Sequence, residues 1–167
     1  MSQKIDRNYL EIHSVQDLVE SSSPSDEFKL ELIDPPNFQL NKFFYKNIGK
    51  KHKWIDRLIW TEEQWIKYVS NKNVKTFVLK NKKDLVGFFE LIFHSEKQEV
   101  EIAYFGILEE YQNKKLGSFL LSNAIKKSFQ QNIERVWLHT CSLDHKNALN
   151  NYLARGMKIF KSEIVKI

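Results

Sequence analysis

The sequence predicts an α+β fold in which helices flank a mixed, mostly antiparallel sheet. Three apolar segments, 76–80, 85–94 and 99–108, follow one another with only short polar turns between them. Such short connections join antiparallel strands. A helical segment then separates the third strand from a further strand at 135–142, and a helical connection of this kind joins parallel strands. Because neither a repeat nor a linker interrupts the sequence, we expect one domain over residues 1–167.

The composition is that of an ordinary globular protein. Hydrophobic residues make up 42% of the chain and charged residues 28%, which argues against wholesale disorder. Cys141 is the single cysteine, so a disulfide framework is excluded and a reducing compartment is expected. The sequence shows neither a secretory segment at its N-terminus nor an apolar run of membrane-spanning length. We therefore expect a soluble, cytoplasmic protein with no membrane partner.

The net charge of +5 is compatible with an anionic partner. A nucleotide-bearing cofactor is one such anion, and nucleic acid is another. The chain has no helix of clustered arginines and no interleaving of aromatic and basic residues of the kind that binds RNA. No nucleic-acid partner is therefore expected, and a basic nucleic-acid-binding domain ranks last among the alternatives.

One strand and two helices are predicted before the three consecutive strands. Residues 7–13 read as the strand. Asn37 can cap the first helix, whose apolar residues recur at helical spacing, and Gly49 closes it.

The second helix has a clearer start. Thr61 and Gln64 have the spacing of a capping box, and Trp60 and Trp65 occupy the two positions of a hydrophobic staple. We expect this helix to run to about Val69.

Two helices and the closing strands are predicted in the last third of the chain. A helix follows Gly117 and carries an apolar stripe: Leu120, Leu121, Ala124, Ile125 and Phe129. Asp144 can cap a last helix that runs to Ala154, and Gly156 stands where a C-terminal glycine ends a helix. Residues 157–167 supply one or two closing strands.

The polar segment before the third helix is suited to bind an anion. A helix N-terminus offers unpaired N–H groups and the positive end of the helix dipole, which favour phosphate oxygens. Segment 112–117 resembles the pyrophosphate-binding motif of the GNAT superfamily of N-acetyltransferases, which is Arg or Gln, two residues, Gly, one residue, then Gly or Ala. Gln112 and Gly117 fit this motif, whereas Lys115 replaces its first glycine.

The surrounding segments extend this resemblance. The strand 101–108 leads into the loop, as in that superfamily, and the next strand begins some twenty residues after Gly117. In the last helix Ala148, Tyr152 and Gly156 match the superfamily's spacing, with Met157 where Phe is usual and His145 where many members have Asn. The resemblance is specific over residues 99–160. This part of the sequence also resembles a bacterial GNAT subgroup.

The resemblance implies an acyl-CoA N-acyltransferase fold whose sheet splays apart between the strands 99–108 and 135–142. It implies acetyl-CoA as cosubstrate, with the pantetheine arm pairing with strand backbone and the pyrophosphate meeting the N–H groups of the loop and helix start. The residues it assigns to cofactor binding are Ile107, Leu108, Gln112, Asn113, Lys114, Lys115, Leu116, Gly117, Ser118, His145 and Ala148. Acetyl is taken as the acyl group because it is the commonest in the superfamily.

The implied reaction is direct attack of an amine on the thioester in a ternary complex. An amine with a pKa near 10.4 is mostly protonated at neutral pH, so a base is useful. Glu101 is the candidate base, because it is a carboxylate in an otherwise apolar strand where some GNAT enzymes keep a catalytic Glu. A solvent-facing or ion-paired Glu101 is the alternative. A backbone donor near Leu108 would stabilise the oxyanion.

Tyr152 is the candidate acid for the leaving thiolate. Ala148 lies one turn before it on the same face and leaves room for the cofactor. The alternative for Tyr152 is a core aromatic residue whose hydroxyl is hydrogen-bonded within the protein.

Other residues carry weaker hypotheses. His139 and His145 lack the spacing of a metal site, so no metal is expected, and Cys141 reads as an inert thiol in a strand. The acceptor is left open between a small amine, a peptide N-terminus, a protein lysine and a hydroxyl. Lys115 supports a second function, a non-catalytic GNAT-fold protein that binds CoA or a partner, because a lysine at positive φ would cost about 1 kcal/mol.

Overall fold

The computed structural model describes residues 3–166. The strands are β1 Lys4–Ile12, β2 Phe28–Leu32, β3 Val74–Asn81, β4 Asp84–His94, β5 Glu99–Ile107, β6 Arg135–Cys141 and β7 Lys158–Lys166. The helices are α1 Phe38–Gly49, α2 Glu62–Val69, α3 Leu116–Phe129 and α4 Ala148–Ala154, with short 3₁₀ turns at Val15–Asp17 and Glu109–Tyr111. Among these residues no helix is both long and apolar enough to cross a membrane.

The strands form one sheet in the order β2-β3-β4-β5-β6-β1-β7. Only the β5–β6 pair is parallel, and every other neighbouring pair is antiparallel. The predicted mixed, mostly antiparallel α+β sheet is therefore confirmed. The N-terminal strand lies between β6 and β7, where it pairs with segments more than a hundred residues away in the sequence.

Local sequence signals start the first two helices as predicted. The Asn37 side chain accepts a hydrogen bond of 3.1 Å from the backbone N–H of Gln39. Thr61 and Gln64 form the reciprocal capping box, and the rings of Trp60 and Trp65 lie 4.9 Å apart. Both helices therefore begin where their own residues satisfy the free N–H groups.

The two faces of the sheet build separate cores. On one face α3 packs its apolar stripe, with Leu120, Leu121, Ala124 and Ile125 fully buried. On the other face α1 places Phe44 against Phe88 of β4, with ring centroids 4.9 Å apart. Successive strand residues point to opposite faces, so the sheet separates the α3 side from the side that α1 covers.

The last helix begins later than predicted. Its N-cap is Asn147, and Asp144 does not cap it. The Asp144 carboxylate instead accepts hydrogen bonds from the Thr140 hydroxyl and, at 3.0 Å, from the Cys141 backbone N–H, so it closes the end of β6. A carboxylate can cap any nearby free N–H group, and the sequence did not distinguish the two.

Gly156 ends α4 as predicted. Its φ is +104°, and the backbone N–H groups of Gly156 and Met157 return to the carbonyls of Leu153 and Tyr152, each at 3.1 Å. This is the double hydrogen bond of a Schellman motif, which glycine favours. A single strand, β7, follows it.

Candidate active site

The sheet opens between β5 and β6. These two strands pair only at Glu99–Arg135, Val100–Val136 and Glu101–Trp137. Beyond Glu101 they separate, while β6 continues to pair with β1 as far as Cys141. The predicted splay is confirmed, and one edge of β5 is left without a strand partner from Ile102 onward. Free N–H and C=O groups along a strand edge can pair with an extended ligand.

A β-bulge lies on the strand where the splay begins. Glu90 of β4 pairs with Tyr104 and Leu91 pairs with Ile102, so Ala103 is the extra residue of β5. Gly106 is a packing glycine, because a Cβ atom there would lie 2.8 Å from Cγ2 of Ile48. The bulge turns Tyr104 to the side of the sheet that carries α1.

The gap between the two strands opens into a cavity of about 760 Å³. The walls come from β5, β6, the loop before α3, the start of α4 and the α1–α2 loop. Of the residues assigned to cofactor binding, the cavity is lined by Ile107, Gln112, Asn113, Lys115, Gly117, Ser118, His145 and Ala148. The sequence signal therefore identified residues from three separate segments that the fold brings to one cavity.

The loop before α3 and the first residues of the helix line this cavity. Asn113 and Lys115 have positive φ values of 64° and 63°, which turns the chain sharply into the helix. No side chain caps the helix N-terminus at Lys115. At Gly117 a Cβ atom would meet only the Asn151 amide nitrogen, at 3.8 Å, so the cavity side of the helix start is open. The arrangement is that of an anion site.

Three of the assigned residues do not line the cavity. The Leu116 side chain is buried in the core, and the Lys114 ammonium lies over the Tyr111 ring at 5.5 Å. The Leu108 N–H donates to the Val86 carbonyl at 2.8 Å and its carbonyl accepts from Tyr111. Neighbouring N–H groups of a strand point to opposite sides, so the Ile107 N–H, and not that of Leu108, faces the gap.

Tyr152 lies at the α3 side of the cavity. Its side chain is buried, with its ring 6.3 Å from that of Phe105. No partner within residues 3–166 makes a hydrogen bond to its hydroxyl. Burial raises the pKa of Tyr152 well above its ordinary value, and the Asp144 carboxylate adds to the effect. The group is therefore a protonated hydroxyl that faces the cavity and can donate a hydrogen bond.

Glu101 lies at the closed end of the gap and also lines the cavity. Its Oε1 is 3.0 Å from Nε2 of His94, and the His94 ring stacks on Trp137. The ion-paired arrangement that the sequence left as an alternative thus occupies one of the two carboxylate oxygens.

A family comparison agrees with this geometry. The model of the acetyltransferase (GNAT) family matches residues 32–157. The chain belongs to the GNAT acetyltransferase family.

Solved structures share the fold of this GNAT chain. A conserved protein of unknown function from Staphylococcus epidermidis has a TM-score of 0.65 at 20% identity, over 98% of this chain and 61% of that one. A GCN5-related N-acetyltransferase from Kribbella flavida has a TM-score of 0.68 at 14% identity, over 97% of this chain and 58% of that one. An aminoglycoside acetyltransferase from an uncultured soil metagenomic sample, in complex with sisomicin, has a TM-score of 0.65 at 16% identity, over 78% of this chain and 88% of that one.

At such low sequence identity, the TM-scores show a shared fold and nothing more. The chain spans about three fifths of the length of the first two structures. No protein of curated function matches it significantly.

The histidines of this GNAT cavity differ in their surroundings. His139 lies on β6, where enclosure lowers its pKa and the Arg7 charge adds to the effect. Burial together with the charges of His52 and Lys146 lowers the pKa of His145. Within residues 3–166 no cluster of His, Cys, Asp or Glu is arranged to hold a metal ion.

A buried ionic cluster beside the cavity was not predicted from the sequence. Glu90 is fully buried, and its carboxylate receives Arg57 Nη1 at 3.1 Å and Nη2 at 2.9 Å. The Tyr68 hydroxyl and the Asn41 amide complete it, at 2.7 and 2.8 Å. The one signal was a carboxylate inside a continuous apolar strand, because a buried charge needs a partner. Its partner Arg57 lies in the loop between α1 and α2, where no hydrophobic periodicity or motif marks a buried residue.

Asp56, next to Arg57, was missed for the same reason. Its Oδ1 accepts hydrogen bonds from the hydroxyls of Tyr45, at 3.0 Å, and Tyr104, at 2.6 Å. Trp54 packs edge-on against Tyr104 at 4.7 Å. These side chains form an aromatic wall on the side of the cavity that α1 covers.

Proposed function

We propose that this GNAT chain is an N-acetyltransferase that moves an acetyl group from acetyl-CoA to an amine within a ternary complex. The observation that carries the proposal is the gap between β5 and β6, which ends at the uncapped N-terminus of α3. A thioester with a long amide arm and a pyrophosphate needs a strand edge at one end and an anion site at the other. This cavity offers both.

Three features of the cavity support the proposal that it binds CoA. The N–H groups from Asn113 to Ser118 would receive the pyrophosphate, with the ammonium groups of Lys114 and Lys115 adding positive charge. The free edge of β5 before Ile107 would pair with the pantetheine amides as an added strand. The Gln112 amide donates to the Ile107 carbonyl at 3.2 Å and so ties the loop to this edge.

The reaction needs a neutral amine next to the thioester. The N–C bond would form first, with the carbonyl electrons moving to oxygen; the C=O bond would then re-form as the C–S bond breaks, the amine nitrogen would lose a proton, and the sulfur would leave as a thiolate that is finally protonated. Glu101 would take the amine proton directly or through a water molecule. The Ile107 N–H would donate to the oxyanion that develops on the carbonyl.

Tyr152 would act on the leaving sulfur. A thiol has a pKa near 8.5, whereas the pKa of Tyr152 is raised far above that value. Complete proton transfer from tyrosine to thiolate is therefore unfavourable at equilibrium. The main contribution of the hydroxyl is a charge-assisted hydrogen bond to the sulfur as its negative charge grows.

A CoA-binding protein of the same fold without catalysis is the second candidate. Lys115 favours it, since the lysine adopts a φ of 63° where the family motif has glycine, at a cost of about 1 kcal/mol. Such a cost lowers the stability of the loop but does not remove the anion site.

Two measurements test the proposed function. CoA at about 100 times its dissociation constant should stabilise the fold by about 2.7 kcal/mol, which thermal unfolding would detect. A panel of amines incubated with acetyl-CoA should then release free thiol. No stabilisation at millimolar CoA contradicts cofactor binding, and stabilisation with no thiol released from any amine supports the non-catalytic candidate.

A further inference from the structure

Asp56 is a carboxylate on the cavity wall that forms no ion pair within residues 3–166. It lies in the loop between α1 and α2 and is exposed to the cavity that it lines. Both of its tyrosine hydrogen bonds end on the same oxygen, Oδ1. Within residues 3–166, Oδ2 receives neither a hydrogen bond nor an ion pair.

The two tyrosines hold this carboxylate in place. Tyr45 is fully buried, and its oxygen also accepts the backbone N–H of Arg57 at 2.9 Å. Burial raises the pKa of Tyr45 to about 12 and that of Tyr104 further. Both hydroxyls therefore remain protonated donors at every working pH, and Asp56 Oδ1 remains their acceptor.

The neighbouring charges leave Asp56 uncompensated. The Arg57 guanidinium lies 4.4 Å from the Tyr104 ring and 4.7 Å from the Trp60 ring, so this wall already accommodates one cation. Arg57 is fully paired with Glu90, through contacts of 2.9 and 3.1 Å. The net charge of Arg57, Glu90 and Asp56 together is −1, and the carboxylate that carries it, Asp56, lines the cavity.

Two other cations that line this cavity, Arg7 and Lys53, do not pair with Asp56. Arg7 Nη1 lies 3.9 Å from a Glu163 oxygen, and the buried Arg7 Nε has no hydrogen-bond partner among the described residues. The Lys53 ammonium is exposed and donates to Gln3 Oε1 at 2.8 Å. No cation of residues 3–166 therefore forms an ion pair with Asp56 that a ligand ammonium would have to displace.

We propose that Asp56 anchors a distal ammonium group of the acceptor, and that the acceptor is a diamine or polyamine. This inference rests on the proposed acetyltransferase function. An ammonium beside a carboxylate is stabilised in its charged form, so an amine held at Asp56 stays protonated and cannot attack the thioester. The reacting amine must therefore be a second one. Tyr104 is three residues from Glu101, about 10 Å along an extended strand, which a polyamine segment can span.

A pair of probes that differ only in their charged ends tests the anchor, because a monoamine could itself place its one ammonium at Asp56. Binding of 1,5-diaminopentane and of the uncharged 1,5-pentanediol is measured by titration calorimetry on the protein saturated with CoA. Thiol release from acetyl-CoA is also compared between the diamine and 1-aminopentane: only the diamine can hold one ammonium at Asp56 while a second amine attacks, so it should react faster, and equal rates would contradict a diamine acceptor. The diamine should bind the wild-type chain about 10- to 100-fold more tightly, the range for a hydrogen bond to a charged group. Asp56→Asn keeps an oxygen for the two tyrosines but removes the charge, so it should abolish the preference. Glu96→Gln removes an exposed turn carboxylate outside the cavity and should keep it.

Several outcomes would overturn the inference. These are equal binding of the two probes to the wild-type chain, no binding of the diamine, or a preference that survives in Asp56→Asn. The wild-type comparison does not depend on a variant that folds. Stabilisation by CoA is measured in parallel on each protein, and its loss in the wild-type chain would contradict the proposed function whatever the amines do.

Discussion

Oε1 of Glu101 lies 3.0 Å from Nε2 of His94, at the point where β5 and β6 separate. The His94 ring in turn lies nearly parallel to that of Trp137, with an interplanar angle of 21°. One carboxylate oxygen is thus fixed by a stacked histidine, and the carboxylate lies at the closed end of the cavity. This geometry is compatible both with a positioned base and with a structural contact to His94. The pH dependence of the rate in a Glu101 variant distinguishes the two roles.

Glu101→Gln should slow acetyl transfer, and the loss should shrink as pH rises. At higher pH more of the amine is already deprotonated, so less depends on a base. Rates are compared between about pH 6.5 and about pH 9.5 with any accepted amine. The matched control is Glu99→Gln, on the same strand but paired with Arg135 at 2.6 Å. A loss that is equal at all pH values would instead assign Glu101 a structural role.

The predictions that held depend on residues close together in the sequence. Asn37 caps α1 through Gln39, two residues away, and Thr61 and Gln64 cap α2 across one turn. The start of α3 directly after the polar segment 112–115 likewise depends on one continuous segment. Such signals can be read from one stretch of chain, because both partners of each contact lie within it.

The features that the sequence did not reveal depend on distant partners. Arg57 and Glu90 are 33 residues apart, and nothing in the loop around Arg57 marks it as buried. The bulge at Ala103 shows only in the register between β4 and β5. Asp144 is an exception, because its partner Cys141 is only three residues away: the end of β6 and the last helix both offered free N–H groups, and the sequence did not distinguish them. The cavity wall formed by the loop before α3 was therefore predictable, whereas the wall around Asp56 and Arg57 was not.

Lys115→Gly should stabilise the fold relative to Lys115→Ala. Lys115 has a φ of 63°, which glycine adopts freely and alanine does not, so the difference in unfolding free energy should be about 1 kcal/mol. Both variants lose the ammonium, so their CoA affinities should be equal, and both should fall below wild type mainly at low salt. Urea unfolding and CoA titration at two salt concentrations measure these quantities. Equal stability of the two variants would contradict the backbone explanation.

Glu90→Gln should destabilise the chain by about 3 kcal/mol or more, because it leaves the buried Arg57 guanidinium without its counter-charge. The exposed pair of Lys80 and Glu31, 3.0 Å apart, provides the control. Glu31→Gln should change the unfolding free energy by less than about 0.5 kcal/mol. Urea unfolding of both variants gives the comparison, and similar small losses would show that Arg57 finds other partners or water.

Tyr152→Phe tests whether the hydroxyl acts on the leaving sulfur. The phenyl ring preserves the packing on Phe105, so fold and CoA affinity should be unchanged while turnover falls by about 10²- to 10³-fold, the range for losing one hydrogen-bond donor to developing charge. Because burial raises the pKa of Tyr152, the hydroxyl stays protonated to well above pH 10, and its ionisation should cause no loss of wild-type activity up to that pH.

The control for Tyr152→Phe is Tyr9→Phe. It removes a hydroxyl that bonds Glu163 at 2.8 Å, outside the cavity, and should leave turnover unchanged. The measurement is thiol release at saturating acetyl-CoA across the same pH range as for Glu101→Gln. Normal turnover of Tyr152→Phe would limit its hydroxyl to a structural role. Near-normal rates in both Tyr152→Phe and Glu101→Gln would indicate that the splayed strands accelerate the reaction only by aligning amine and thioester.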